Sequence, residues 1–90
     1  MLEKINHKTA PKEVVNALVT LYHQGKFDEI LKQENELINL YPYSVDLYNI
    51  FGSTNLALNQ FKCAIDNFKK AIKINPKLPV IFYNLGLSFH

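Results

Sequence analysis

The chain has 90 residues, of which 48% are hydrophobic, enough for one modest core and too few for two independent ones. Ten lysines against eight acidic residues leave a net charge of only +2, and arginine is absent. Nucleic acid is therefore not the expected partner, because the forked group suited to phosphates and guanine edges is missing. A single cysteine, Cys63, excludes an intrachain disulfide and a multi-cysteine metal site. No apolar run reaches membrane-spanning length, and Met1-Leu2-Glu3-Lys4 lacks the layout of a secretory signal, so a cytoplasmic protein without membrane contact is expected.

Residues 1–10 read as a lead-in, with only Leu2 and Ile5 at helical spacing. Val14, Ala17, Leu18 and Leu21 then predict a first helix over about 10–23, and Gly25 marks its end. Ile30, Glu34 and Leu37 predict a second helix over 27–40, closed by Pro42, since the residue before a proline is pushed out of helical geometry. Ser44 is a candidate N-cap, with Asp46 in the first turn of a third helix over 45–58 that carries Tyr48, Phe51, Gly52 and Asn55. Asn59, which tolerates a left-handed conformation, separates it from a fourth helix over 61–74 that carries Ala64, Phe68 and Ala71 and stops before Pro76. A fifth helix is predicted over 79–90, with Phe82, Tyr83, Asn84, Leu85, Gly86 and Phe89.

These elements repeat. Tyr41-Pro42 and Asn75-Pro76 lie 34 positions apart, as do Phe27 and Phe61, and Tyr48-Phe51-Gly52 and Phe82-Leu85-Gly86. A period of that size marks a stacked helical array. It divides the chain into copies at 11–44, 45–78 and a partial third at 79–90. The middle copy resembles the tetratricopeptide repeat, with an aromatic, a Leu-Gly pair and a Tyr in the first helix, then Ala, aromatic, Ala and a closing Pro. Phe51 stands for the Leu and Asn55 for the Tyr. The first copy is looser and agrees best at Gln24-Gly25, Phe27-Asp28-Glu29 and Pro42. The resemblance covers about 11–90 and implies an all-α fold of antiparallel helix pairs stacked in a right-handed superhelix.

Close packing is expected where the residues are small. Gly52, Ala64 and Ala71 let two helix axes approach while Tyr48, Phe51, Phe68 and Ile72 fill the seam. In the first copy Leu18 and Ile30 replace small residues, and Ala17 is expected to offset their bulk.

Nothing in the sequence points to catalysis or to a cofactor. His7, His23 and His90 share no metal-like spacing with one another or with Cys63, and no phosphate loop, nucleophile elbow or His-Glu-x-x-His pair is present. Asp28 with Glu29 and Glu34 with Glu36 read as solvated helix surface. Charge is nevertheless divided: Asp28, Glu29, Glu34 and Glu36 dominate the second helix of the first copy, whereas Lys62, Lys69, Lys70 and Lys73 dominate that of the middle copy. The Lys62, Asp66 and Lys70 ladder favours a solvated outer face, with a docking surface for a charged neighbour as the alternative.

The resemblance implies a concave groove lined by the first helix of each pair. Its positions fall on Lys12, Val15, Val19 and Tyr22, on Asp46, Asn49, Ser53 and Leu56, and on Val80, Tyr83 and Leu87. A mainly apolar groove with amide and phenol groups suits a protein partner's extended peptide or amphipathic helix, although Val15, Val19 and Leu56 could equally complete helix packing. Some family members clamp the terminal carboxylate of a chaperone tail. Here Val15, Val19, Ile50 and Val80 occupy those places and only Asn84 agrees, which argues against that role. Two functions remain: an interaction scaffold in its own right, or the substrate-recruiting repeats of a longer enzyme such as a glycosyltransferase or sulfotransferase, the latter favoured by a third copy cut halfway. Phe82, Leu85 and Phe89 load that helix with apolar surface, and a homodimer through it is the expected cover.

Overall fold

The structure is a computed structural model that describes residues 9–77. Among them the chain is all-helical: α1 Lys12–His23, α2 Phe27–Leu31, α3 Glu34–Leu40, α4 Val45–Ala57 and α5 Phe61–Ile74. The helix expected over 79–90 lies outside the described residues, as does most of the lead-in.

The two turns inside the pairs are built alike. Gly25 (φ 73°) and Asn59 (φ 61°) both adopt the left-handed conformation. In each turn the N–H groups after the helix fold back onto its last carbonyls: Gly25 to Tyr22 at 3.0 Å and Lys26 to Leu21 at 2.9 Å, then Asn59 to Leu56 at 3.0 Å and Gln60 to Asn55 at 2.8 Å. This double closure satisfies carbonyls that a helix end would otherwise leave unpaired. Ser44 does take the N-cap position of α4, but its side chain makes no capping bond; its carbonyl accepts from Tyr48 N–H at 3.3 Å.

The helix expected over 27–40 is broken at Lys32 and Gln33. The Gln33 side chain donates to the Glu29 carbonyl at 3.1 Å, the acceptor its own backbone N–H would use in a continuous α-helix. That N–H turns instead to Ile30, three residues back, at 3.1 Å. A side chain that competes for a backbone acceptor thus tightens one turn. Lys32 and Gln33 keep helical dihedrals, so the chain does not reverse there.

Two clusters form the core. Leu18, Ile30, Leu37, Leu47 and Phe51 make the first, and Tyr48, Ala64, Phe68 and Ala71 the second. Helix α4 divides its faces between them, and half-buried Ile38 packs against both. The expected seam is therefore only partly right: Phe51 packs toward the first pair, while Tyr48 and Phe68 stay with the second. At Gly52 an added Cβ would stand 2.6 Å from the Phe68 ring, so α4 and α5 touch where only hydrogen fits. Ala17 is exposed and offsets nothing; Leu18 and Ile30 are themselves the core of the first pair.

A buried polar chain joins the pairs. Asn67 Nδ2 donates to Asn55 Oδ1 at 2.7 Å and to Glu34 Oε2 at 3.3 Å, and Asn55 Nδ2 donates to Gln60 Oε1 at 2.9 Å. Asn67 directs both amide protons to acceptors, as burial demands of polar groups. Glu34 is thus half-buried and engaged with the next pair rather than simply solvated.

Candidate functional site

Helices α1 and α4, the first members of the two pairs, lie side by side, and a pocket of about 210 Å³ opens between them. It is lined by Val19, Tyr22 and His23 from α1 and by Asn49, Ile50 and Ser53 from α4. Helical spacing explains the set: Val19 and Tyr22 are three apart, as are Ile50 and Ser53, so each group rises on one face of its helix. The opening of that face to solvent follows from the core, which takes Leu18 from α1 and Leu47 and Phe51 from α4.

Val19, Tyr22, Asn49 and Ser53, four of the expected groove residues, meet in this pocket. Val15 is half-buried but outside the lining, and Leu56 is half-buried against the second cluster. Lys12 and Asp46 are exposed. Val80, Tyr83 and Leu87, together with the self-association residues Phe82, Leu85 and Phe89, lie outside the described residues. Two further residues complete the lining: His23, one place beyond Tyr22, which as a histidine near the end of a first helix reads as a surface or groove residue rather than a ligand, and Ile50, whose apolar character argues against a carboxylate clamp.

Aromatic contacts set the shape of one wall. The Tyr22 ring meets Phe27 edge-on at 5.3 Å between centroids and His23 at 6.2 Å. Such edge contacts hold a ring that would otherwise swing freely. Phe27 is itself half-buried against the first cluster, as are Tyr22 and Ile50 of the lining, so the pocket wall rests directly on the core. The surface combines an apolar wall of Val19 and Ile50 with amide, hydroxyl, phenol and imidazole groups. That chemistry can grip an apolar side chain and hydrogen-bond the backbone around it.

A second aromatic residue is tied down elsewhere. Tyr48 is buried, its hydroxyl donates to the Pro42 carbonyl at 2.8 Å, and burial, with a smaller contribution from Tyr43, holds its phenol above the usual range. It therefore stays a neutral donor at physiological pH. Cys63 is exposed and outside any disulfide. Among the described residues, no three His, Cys, Asp or Glu side chains gather as a metal site would require, and no helix is long and apolar enough to cross a membrane.

Residues 52–90 match a family model described as TPR repeat. Among curated proteins, the chain is 28% identical over 69 residues to the Rhomboid protease GluP of Bacillus subtilis (strain 168). That alignment covers 77% of this chain and 14% of the protease, so the chain spans a small part of the relative's length. No solved structure matches.

Proposed function

We propose that the chain, whose residues 52–90 match a TPR repeat model, is a protein-interaction scaffold of that family and holds a peptide or helix of a partner protein against the pocket between α1 and α4. The observation that carries this reading is the meeting of Val19, Tyr22, Asn49 and Ser53 from two successive first helices at one opening. Its volume of about 210 Å³ also bears on the occupant. Sites that enclose small molecules run from roughly 300 to 1,000 Å³, so this one better suits a single anchoring side chain of a longer ligand. The role is non-catalytic and cytoplasmic, with neither nucleic acid nor membrane as partner.

Peptide display against the chain, followed by affinity measurement on the selected peptides, tests the proposal. Val19→Glu and Asn49→Ala should each weaken binding by about 1 to 2 kcal/mol while helicity is retained. Selected peptides that bind both variants as tightly as the parent would place recognition elsewhere.

A second reading, that the repeats recruit substrate for a longer enzyme, is supported by the match to a short part of a protease. A catalytic domain of protease, glycosyltransferase or sulfotransferase type in the same reading frame would favour it, and further repeats alone would favour the free-standing scaffold. The proposal includes a homodimer through Phe82, Leu85 and Phe89. Light scattering should then give twice the chain mass, and Phe82→Asp with Phe89→Asp should return it to the monomer; a parent that stays monomeric at high concentration removes the dimer.

A further inference from the structure

A pocket of about 530 Å³ opens where the loop after α3 meets the last turns of α5, lined by Pro42, Tyr43, Tyr48, Lys70, Lys73 and Ile74. It shares no lining residue with the pocket between α1 and α4, and its volume falls within the range of ligand sites. Its wall is preformed. The Tyr48 ring is buried and pinned through its hydroxyl to the Pro42 carbonyl, and Ile74 is half-buried beside the second core cluster. Lys70 Nζ stands 5.9 Å from the centre of the Tyr48 ring, within reach of the attraction between a cation and an aromatic face.

The charged side chains that line this pocket have one sign. Lys70 and Lys73 are exposed, no carboxylate contributes to the lining, and along α5 four lysines face Asp66 alone. Two ammonium groups beside an apolar wall complement a ligand that carries both carboxylates and an apolar side chain. A nucleic acid would offer its phosphates to the same lysines, but the chain has no arginine to fork onto them and a net charge of only +2. We propose that this pocket docks an acidic segment of a partner protein, seating one apolar side chain against Tyr48 and Ile74 between carboxylates held by Lys70 and Lys73. The site is independent of the α1–α4 pocket, and a scaffold with both could hold two segments at once.

The test uses the full chain and a fluorescein-labelled peptide of two glutamates, a phenylalanine and two glutamates, capped at both ends so that no terminal carboxylate is present. Fluorescence anisotropy should show saturable binding that weakens as salt rises. Lys70→Gln with Lys73→Gln should weaken it by about tenfold, as should alanine in place of the peptide's phenylalanine, with circular dichroism showing the variant's helices intact. Asn49→Ala should leave this binding unchanged, which separates it from failure of the other pocket. The proposal is overturned if no peptide binds, if the double glutamine variant binds undiminished, if Asn49→Ala abolishes binding, or if the alanine peptide or a thymidine oligonucleotide of equal charge binds as tightly.

Discussion

The two helix pairs occupy the same 34-residue register and fill it in opposite ways. In the second pair Gly52 is the small partner and Phe68, fully buried, is the large one. One period earlier the same places hold Leu18 and Glu34, so the bulk moves to the first helix and the second helix loses its aromatic. Ile30 and Leu37 likewise replace Ala64 and Ala71, and all four are buried. The aromatic at the start of the second helix also trades roles: Phe27 packs half-buried on the first cluster, whereas Phe61 is 45% exposed. A repeat register therefore constrains where side chains point more than it constrains which of two facing positions is large.

The difference has consequences beyond packing. With no aromatic to anchor it, Glu34 is free to reach the next pair, where Asn67 donates to it, and the preceding turn tightens at Gln33. The second pair has a continuous α5 and the closer helix contact, the first a divided second helix.

If the bulk in the first pair really sits on α1, Leu18→Ala should be the most damaging change, at about 2 to 5 kcal/mol, since a fully buried leucine leaves a cavity its neighbours only partly fill. Chemical denaturation followed by circular dichroism measures it, and a loss below about 1 kcal/mol would mean that Ile30 and Leu37 collapse into the space. The reciprocal change, Gly52→Leu, should destabilise the second pair by about 1 to 3 kcal/mol or more by overpacking. Gly52→Ala sharpens the point, because alanine gains roughly 1 kcal/mol in helix propensity. A net loss at that position would show that the Phe68 contact outweighs the gain, whereas a more stable alanine variant would mean that the ring yields.

The polar link between the pairs comes next. Asn67→Ala leaves the buried Asn55 carbonyl oxygen without its donor and should cost about 1 to 3 kcal/mol. Glu34→Ala, on a half-buried residue, should cost less. Equal losses in the same denaturation experiment would shift the weight of the network onto the carboxylate. The smallest effect is expected at Gln33→Ala, which frees the Glu29 carbonyl and improves helix propensity; stability should change by no more than about 0.5 kcal/mol. Amide hydrogen exchange at Gln33 and Glu34 should slow if the helix becomes continuous, and faster exchange there would show that the side-chain bond was holding the turn.

Part of the candidate pocket was legible in advance because the resemblance to the tetratricopeptide repeat implies a groove at Val19 and Tyr22 on one helix and at Asn49 and Ser53 on the next, each pair at helical spacing. What periodicity could not supply was the neighbour across the opening, which brought in His23 and Ile50 and left Val15 out. The pocket beside α5 was less legible still. Lys70 and Lys73 read as part of a basic outer face, with a docking surface for a charged neighbour as the alternative, and nothing local signals that Tyr48, more than twenty residues earlier, forms the wall beneath them.

Local chemistry determined what local chemistry can. Gly25 and Asn59 adopt a positive φ because their residue types tolerate it, and α3 and α5 end before Pro42 and Pro76 because a proline disfavours helical geometry at the preceding residue. The period itself followed from side-chain types at fixed intervals. The tertiary structure alone decided that Phe51 turns to the first pair while Tyr48 turns to the second, that Asn55 finds Asn67, and that Glu34 spans the two pairs. Those outcomes depend on which surfaces meet after the helices have formed, and close packing and buried hydrogen bonds are selected at that contact rather than along the chain.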